Sequence, residues 1–381
     1  VKAHPVNLAR SLAALCLASS TLLACPGTPD EPAPAGQQSP TLERVSRIGC
    51  TDCEGPGALT VLYLNMAHDG RILVLDLYEP FVRIFSPQGE LLRAFGAAGQ
   101  GPGELGVDLQ VEYLPGIAVY PWKDASLLVH EVIPPTLTAF DSNGQFIEEL
   151  KLEVQMRVPR AAAWNPEMER LYMLSFVPGE DLRVDRFDFA GRSSALARTV
   201  LDLAEAFPPE EEDTRRPATS LNLIASPDGG FAVAHPWQYV ISRYTASGEV
   251  AERIVREIEH PLKSAAEVQE ERELLQEIAS QSGVAPEEPD PEAPHFIPRG
   301  ALEFDDEGRL WVATNRGHDG VTTFDLFDSD GGYMGEVVMP DEINIGVETM
   351  RGFAIAGDYL AAVVVAEDGN HRIGVWRIVW A

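Results

Sequence analysis

The sequence predicts an all-β fold: a six-bladed β-propeller of four-stranded antiparallel blades. Three observations carry this. An aromatic residue followed four positions later by glycine recurs five times, at Phe85/Gly89, Phe140/Gly144, Phe187/Gly191, Tyr244/Gly248 and Phe327/Gly331. Alternating or β-rich runs flank each turn, which marks a hairpin whose glycine takes positive φ. A second turn family precedes each hairpin, as in HDGRILVLD, SPDGGFAVAH and DDEGRLWVAT. Each repeat is therefore strand, turn, strand, loop, strand, turn, strand, the plan of a propeller blade of ~40–50 residues. The third observation concerns closure. The last repeat, from Phe353, holds three strands, while LERVSRI near the start is a strand without a blade. An unpaired edge is avoided in native sheets, so residues near Leu42–Ile48 are expected to complete the final blade against His371–Val379.

Taken in order, residues 1–24 form a signal peptide, with Lys2 and Arg10 ahead of an apolar run too short to span a bilayer. Leu22-Leu23-Ala24-Cys25 resembles the bacterial lipobox, which implies lipidation of Cys25; the alternative is an ordinary signal peptide with an incidental cysteine. Residues 25–41 hold PGTPDEPAPAGQQSPT, too polar and proline-rich to fold, and so a tether. The propeller then spans 42–381, with degraded strand starts at KDASLLVH and NPEMERLYML. The glycine-rich FGAAGQGPGEL, residues 95–105, is no nucleotide cradle. Glu104 stands where a dinucleotide fingerprint needs its third glycine, and Pro102 where a Walker loop needs lysine. The same Gly-Pro-Gly frame recurs in IGCTDCEGPGAL, residues 48–59, so both are connections following a fourth strand. An insert at 260–298 separates blades four and five. Its SAAEVQEERELLQEIASQ predicts an amphipathic helix through Val268, Leu274, Leu275 and Ile278, followed by an acidic, proline-rich loop.

GQGPGEL after a strand, together with Asp-Gly-Arg strand starts, resembles the NHL-repeat type of six-bladed propeller. More closely, the chain is similar to a group of bacterial six-bladed propeller lipoproteins. The likeness spans roughly residues 42–381, and no catalytic motif comes with it.

Composition narrows the partners. The chain of 381 residues carries 59 acidic against 29 basic side chains, a net charge of −30. Nucleic acid and anionic lipid head groups are excluded as partners, since both call for clustered Lys and Arg. The expected membrane contact runs through the lipid anchor alone, at the bacterial cell envelope.

Candidate chemistry is sparse. Cys50 and Cys53 form a C-x-x-C in a Gly-Pro turn, where a local disulfide suits the closure loop better than a redox centre or zinc. Phe327-Asp328-Ser329-Asp330-Gly331 looks like the start of a calcium loop, but other blades place SPQG, DSNG, DFAG and TASG there, so the acids are turn chemistry. Four histidines, His130, His235, His318 and His371, fall in or beside loops joining the second and third strands of their blades. Asp76, Asn315, Arg316 and Asp368 belong to the same loops. Such loops gather on one face of a propeller, making these eight a candidate binding face. Metal-dependent propeller hydrolases use carboxylate, Asn and His ligands, so a metal ion is the alternative to the expected absence of any cofactor. Trp122, Trp164, Trp237 and Trp311 are either sugar-stacking platforms or wedges between blades. Neither G-x-S-x-G nor H-E-x-x-H occurs. The expected function is an envelope-anchored lipoprotein that binds an unknown envelope protein or small ligand without catalysis. The alternatives are a metal-dependent propeller hydrolase or lactonase, and a structural platform of an envelope protein complex.

Overall fold

Sheet pairing begins at the ring's seam. Strand β1, Thr41–Ile48, pairs antiparallel with the last strand of the chain, His371–Val379, from Thr41↔Val379 through Leu42↔Ile378 to Ile48↔Ile373. The orphan strand thus completes the final blade, as the three-stranded last repeat requires. The computed structural model describes residues 39–49, 59–99, 101–105, 118–132, 135–154, 158–176, 182–203, 221–235, 239–257, 264–282, 300–314, 323–340, 351–365 and 371–380, with single positions 289, 297 and 343.

Blade I comprises β2 (Val61–Met66), β3 (Ile72–Asp76), β4 (Val82–Phe85) and β5 (Leu91–Phe95). Blade II follows with β6 (Ala118–Pro121), β7 (Leu127–Val132), β8 (Pro135–Phe140) and β9 (Phe146–Glu153). Blade III runs β10 (Val158–Asn165), β11 (Arg170–Phe176) and β12 (Arg183–Asp188). There the chain detours. β13 (Ser194–Leu196) adds in parallel to β9 of blade II before β14 (Arg198–Asp202) closes blade III. One sheet therefore has five strands where the repeat predicts four. Blade IV holds β15 (Asn222–Ala225), β16 (Phe231–Ala234), β17 (Val240–Tyr244) and β18 (Val250–Val255). Helix α1, Ala265–Ser282, comes next; Val268 and Leu275 on it are half-buried and Ala279 is buried, positions that share one helical face. Blade V contains β19 (Leu302–Phe304), β20 (Leu310–Thr314), β21 (Thr323–Phe327) and β22 (Tyr333–Val338). Blade VI ends the ring with β23 (Phe353–Ala356), β24 (Tyr359–Val365), β25 (His371–Val379) and β1.

Local backbone chemistry explains the hairpins. All five glycines of the aromatic turns have φ between 76° and 89°, where a side chain is disfavoured. In several blades the residue after the aromatic caps the turn. Asp141 Oδ1 accepts from Asn143 N and Gln145 N, Asp328 Oδ1 from Asp330 N and Gly332 N, and Thr245 Oγ1 from Glu249 N. The Asp328 carboxylate is thus occupied with its own turn, as the repeat comparison implies. In the degraded strand starts, non-glycine residues accept the left-handed conformation: Asp124 and Ala125 at φ 52° and 64°, Glu169 at 48°.

The core lies between blades. One apolar cluster joins blades I to III, a second III to IV, a third IV to VI, and a fourth closes VI on I. The turn aromatics Phe140, Phe187, Tyr244 and Phe327 are at most 2% exposed within them. Trp122, Trp164 and Trp311 are buried in the same clusters, as wedges; Trp237 lies outside the described residues. The Gly-Pro-Gly connection belongs to this packing. Leu105 is fully buried among the blade I to III residues, while the Gly101 amide donates to Glu104 Oε2 at 2.8 Å. The loop satisfies an amide of its own with its own carboxylate.

Candidate functional site

Antiparallel connectivity sorts the loops. Within a blade the turns joining strands one to two and three to four share one end and are short, except where blade III detours through β13 and where blade VI takes its fourth strand from β1. The connections from strand two to three, and from each blade to the next, share the other end. The second mouth therefore receives the ends of the long connections, among them Arg256, which leads toward the insert. The first strands line the axis: β2 neighbours β6 and β23, and β15 neighbours β10 and β19.

A polar network crosses that axis. Arg351, just before β23, forms an ion pair through Nη2 with Glu303 Oε2 of blade V. Its Nη1 donates to Tyr63 OH at 3.4 Å in blade I, and its Nε to Phe353 O at 3.3 Å. Tyr63 meets the Tyr120 ring of blade II edge-on at 5.8 Å, and Tyr120 OH donates to Ala162 O of blade III at 3.1 Å. Burial, reinforced by Tyr63, pushes the Tyr120 phenol well above its ordinary value. Asn222 of blade IV spends its amide on the segment entering blade V, donating to Ile297 O and accepting from Ala301 N. Both charged groups of the network are 8% exposed. A buried charge is tolerated when it is paired and hydrogen-bonded, and here the guanidinium neutralises the carboxylate. Motif reading misses this network. The available signal was Glu303 alone between Leu302 and Phe304 in an apolar strand, and Arg351 ahead of the apolar FAIA.

The expected binding-face residues separate into groups. Asp76 and His371 come together at the seam. His371 Nδ1 accepts from Val61 N at 2.9 Å, and Val61 pairs with Asp76 across β2 and β3. Asp76 is 1% exposed, accepts from Tyr78 N, and lies 3.6 Å from the Arg83 guanidinium. Its carboxyl is raised above the usual range because desolvation outweighs its hydrogen bonds and the nearby Arg83 and His371. His130 has no exposed surface at all. It sits within β7, near the Tyr120 ring at 6.5 Å, and neither ring nitrogen has a hydrogen-bond partner among the described residues. Burial alone drives its imidazole down to about 4. His235, just past the end of β16, is half-buried, its amide bonded to Val240 O at 3.0 Å. Asp76, His130 and His371 thus lie beneath the long-loop mouth, not on it. Asn315, Arg316, His318 and Asp368 fall outside the described residues, as do Cys25, Cys50 and Cys53.

The repeat also shows what His235 is. Counted from the preceding turn, Asp76, Glu131, Ser175, His235 and Thr314 occupy equivalent places at or just past the end of the second strand. All but His235 are buried. Glu131 accepts from Thr138 Oγ1, Ser175 donates to Asp185 Oδ2, and Thr314 donates to Thr323 O. A polar layer thus underlies that mouth in five blades. Among the described residues, no group of three or more His, Cys, Asp or Glu side chains is placed to share a metal ion.

Fold and site together define a six-bladed β-propeller with a charge-neutralised axis. No protein-family model matches the chain, and neither does any curated protein. Solved structures do resemble it. A member of the DUF4221 family from Bacteroides vulgatus superposes with a TM-score of 0.56 at 9% identity, covering 91% of this chain and 100% of that one. A gluconolactonase from Xanthomonas campestris gives 0.44 at 15% identity over 92% and 98% of the two chains. Virginiamycin B lyase from Staphylococcus aureus gives 0.43 at 10% identity over 86% and 97%. The Bacteroides structure, at 9% identity, speaks to fold alone.

Proposed function

We propose that this chain is an envelope-anchored lipoprotein whose propeller binds a protein or small ligand at its long-loop mouth without catalysing a reaction. The axial ion pair carries the binding half of this reading. Glu303 is matched by Arg351, so the charges best placed for chemistry on the axis are spent on each other. Hydrolysis needs an activated nucleophile or a Lewis acid, and a Lewis acid needs carboxylate, Asn or His side chains free to ligate it. What varies from blade to blade is the set of long connections, and connectivity brings them to one mouth. Specificity in a propeller of this kind lives in such loops. Anchorage follows from Leu22-Leu23-Ala24-Cys25 and the proline-rich stretch behind it.

The test is a His235→Ala/Asn315→Ala double variant assayed against an envelope partner co-purified with the wild-type protein. Affinity should fall at least tenfold with an unchanged melting temperature. Metal-dependent hydrolysis of an ester or lactone by the wild type, lost in this variant, would replace binding with catalysis.

A further inference from the structure

At the junction of blades IV and V three side chains that depart from the repeat converge on a fourth, Asp325, whose place is also held by a buried aspartate, Asp185, in blade III. The residue that follows the outermost strand is Gly96, Val154, Leu203 and Met339 in other blades, but Arg256 in blade IV. The residue six after the turn aromatic is Leu91, Phe146, Ser193 and Val250 elsewhere, but Tyr333 in blade V. Tyr239 stands just before β17, where blade I has Phe81 and blade III Leu182. Asp325 lies two residues before Phe327 and is 0% exposed.

These four make a cage around a cation. Asp325 Oδ2 accepts from Tyr239 OH at 2.6 Å, and Oδ1 accepts from Tyr333 OH at 3.3 Å. The Arg256 guanidinium reaches Oδ1 at 2.7 Å, with Cζ 3.9 Å from the Tyr333 ring centre and 5.6 Å from that of Tyr239. Burial opposes the guanidinium charge, but Asp325 and the two tyrosines more than restore it. One carboxylate and two aromatic faces within reach of a planar cation are the elements of alkylguanidinium recognition. Arg256 and Tyr239 reach the cage from the long-loop end, Arg256 leading toward the insert and Tyr239 ending the connection that begins with His235, while Tyr333 opens β22 from the short-turn end.

We propose that this junction is a binding site for one arginine side chain, filled in this state by Arg256 and exchangeable for an arginine of a basic partner. The partner half rests on the reading of the long-loop mouth as the binding face. The net charge of −30 favours a basic partner. Arg256 then acts as an internal ligand that fastens the start of the insert, and exchange frees that segment.

Methylguanidinium is the first probe, with Arg256→Ala as the emptied cage. The variant should melt about 3–5 °C below wild type. Millimolar methylguanidinium should recover most of that loss saturably in Arg256→Ala, with no gain in wild type or in Arg256→Ala/Asp325→Asn. An equal response in all three proteins overturns the cage. If Arg256→Ala does not fold alone, its refolding yield with methylguanidinium against tetramethylammonium becomes the readout. Selective recovery supports the cage, and none overturns it. The second probe, an acetylated tri-arginine amide titrated onto the wild-type chain, tests exchange. Binding at least fivefold stronger than to Tyr333→Leu supports it. Equal binding overturns exchange, even where the cage itself stands. Neither probe depends on the His235/Asn315 test, so the two readings fail separately.

Discussion

His130 shows how one residue couples burial to pH. The ring is wholly buried, has no hydrogen-bond partner among the described residues, and stays neutral down to about pH 4. In the unfolded chain it titrates near ~6.5. The depressed folded-state value means that the unfolded state takes up the proton first as pH falls. The contribution of neutral His130 is therefore whole above pH ~6.5, shrinks from there to about 4, and is constant below. Over that window the wild type should lose about 3 kcal/mol through this residue. His130→Leu removes the titration without opening a large cavity. The difference between the two denaturation-derived stability curves should show a slope confined to that window; parallel curves would mean that the ring is charged or solvated.

At the scale of elements, the turns and the seam make separate claims. Ala125 occupies at φ 64° the place that glycine fills in four other turns of its family and Glu169 in blade III, and it is exposed. Ala125→Gly relieves left-handed strain while losing no packing, and should stabilise by about 0.5–1 kcal/mol in urea denaturation. Gly70→Ala, at φ 82° and facing Pro87 and Tyr359, should destabilise by about 1 kcal/mol or more. The seam rests on β1, which pairs with β25 over its whole length, and on the His371 bond to Val61 N. Deleting residues 26–48 should lower the melting temperature by at least ~5 °C, because it exposes β25 and uncovers the cluster around Ile48. Deleting 26–38 leaves β1 in place and should change nothing measurable. Equal melting temperatures for the two truncations would place closure elsewhere.

For the whole molecule, the network of Glu303, Arg351, Tyr63, Tyr120 and the Ala162 carbonyl draws in five blades, and neighbouring blades hold one another from outside. Arg186 of blade III donates to Ala246 O in the next turn, and Arg243 of blade IV to Ser329 O in the one after. Both arginines precede the turn aromatic, and both carbonyls lie two residues beyond it, so the clasp repeats in register. Such a ring suits a rigid presenter of loops at the end of a tether. Lipidation at Cys25 is the expectation that places it at a membrane. Cys25→Ala should shift the protein from the membrane pellet to the soluble fraction with its melting temperature unaltered. A variant still found in the pellet would remove the anchor from the proposal.

How much was legible follows from where the information is stored. Blade count, turn chemistry and ring closure were written in the sequence, because glycine at positive φ, Asx capping and period-two strands are local constraints. A repeat states such constraints several times over, and the missing fourth strand of the last blade could be matched to LERVSRI by counting alone. The detour of β13 onto β9 escaped, since a parallel addition to a neighbouring sheet leaves no local pattern. The site was barely legible. Asp76 and His371 were singled out in the sequence, yet only the fold brings them together across 295 positions of chain. Histidine in a loop reads as surface chemistry, while His130 proves buried, because exposure depends on which blades pack against a strand. Glu303 and Arg351, or Arg256, Asp325, Tyr239 and Tyr333, share no spacing that would announce them. Their partnership exists only once the blades close into a ring, where distance along the chain no longer measures distance in space.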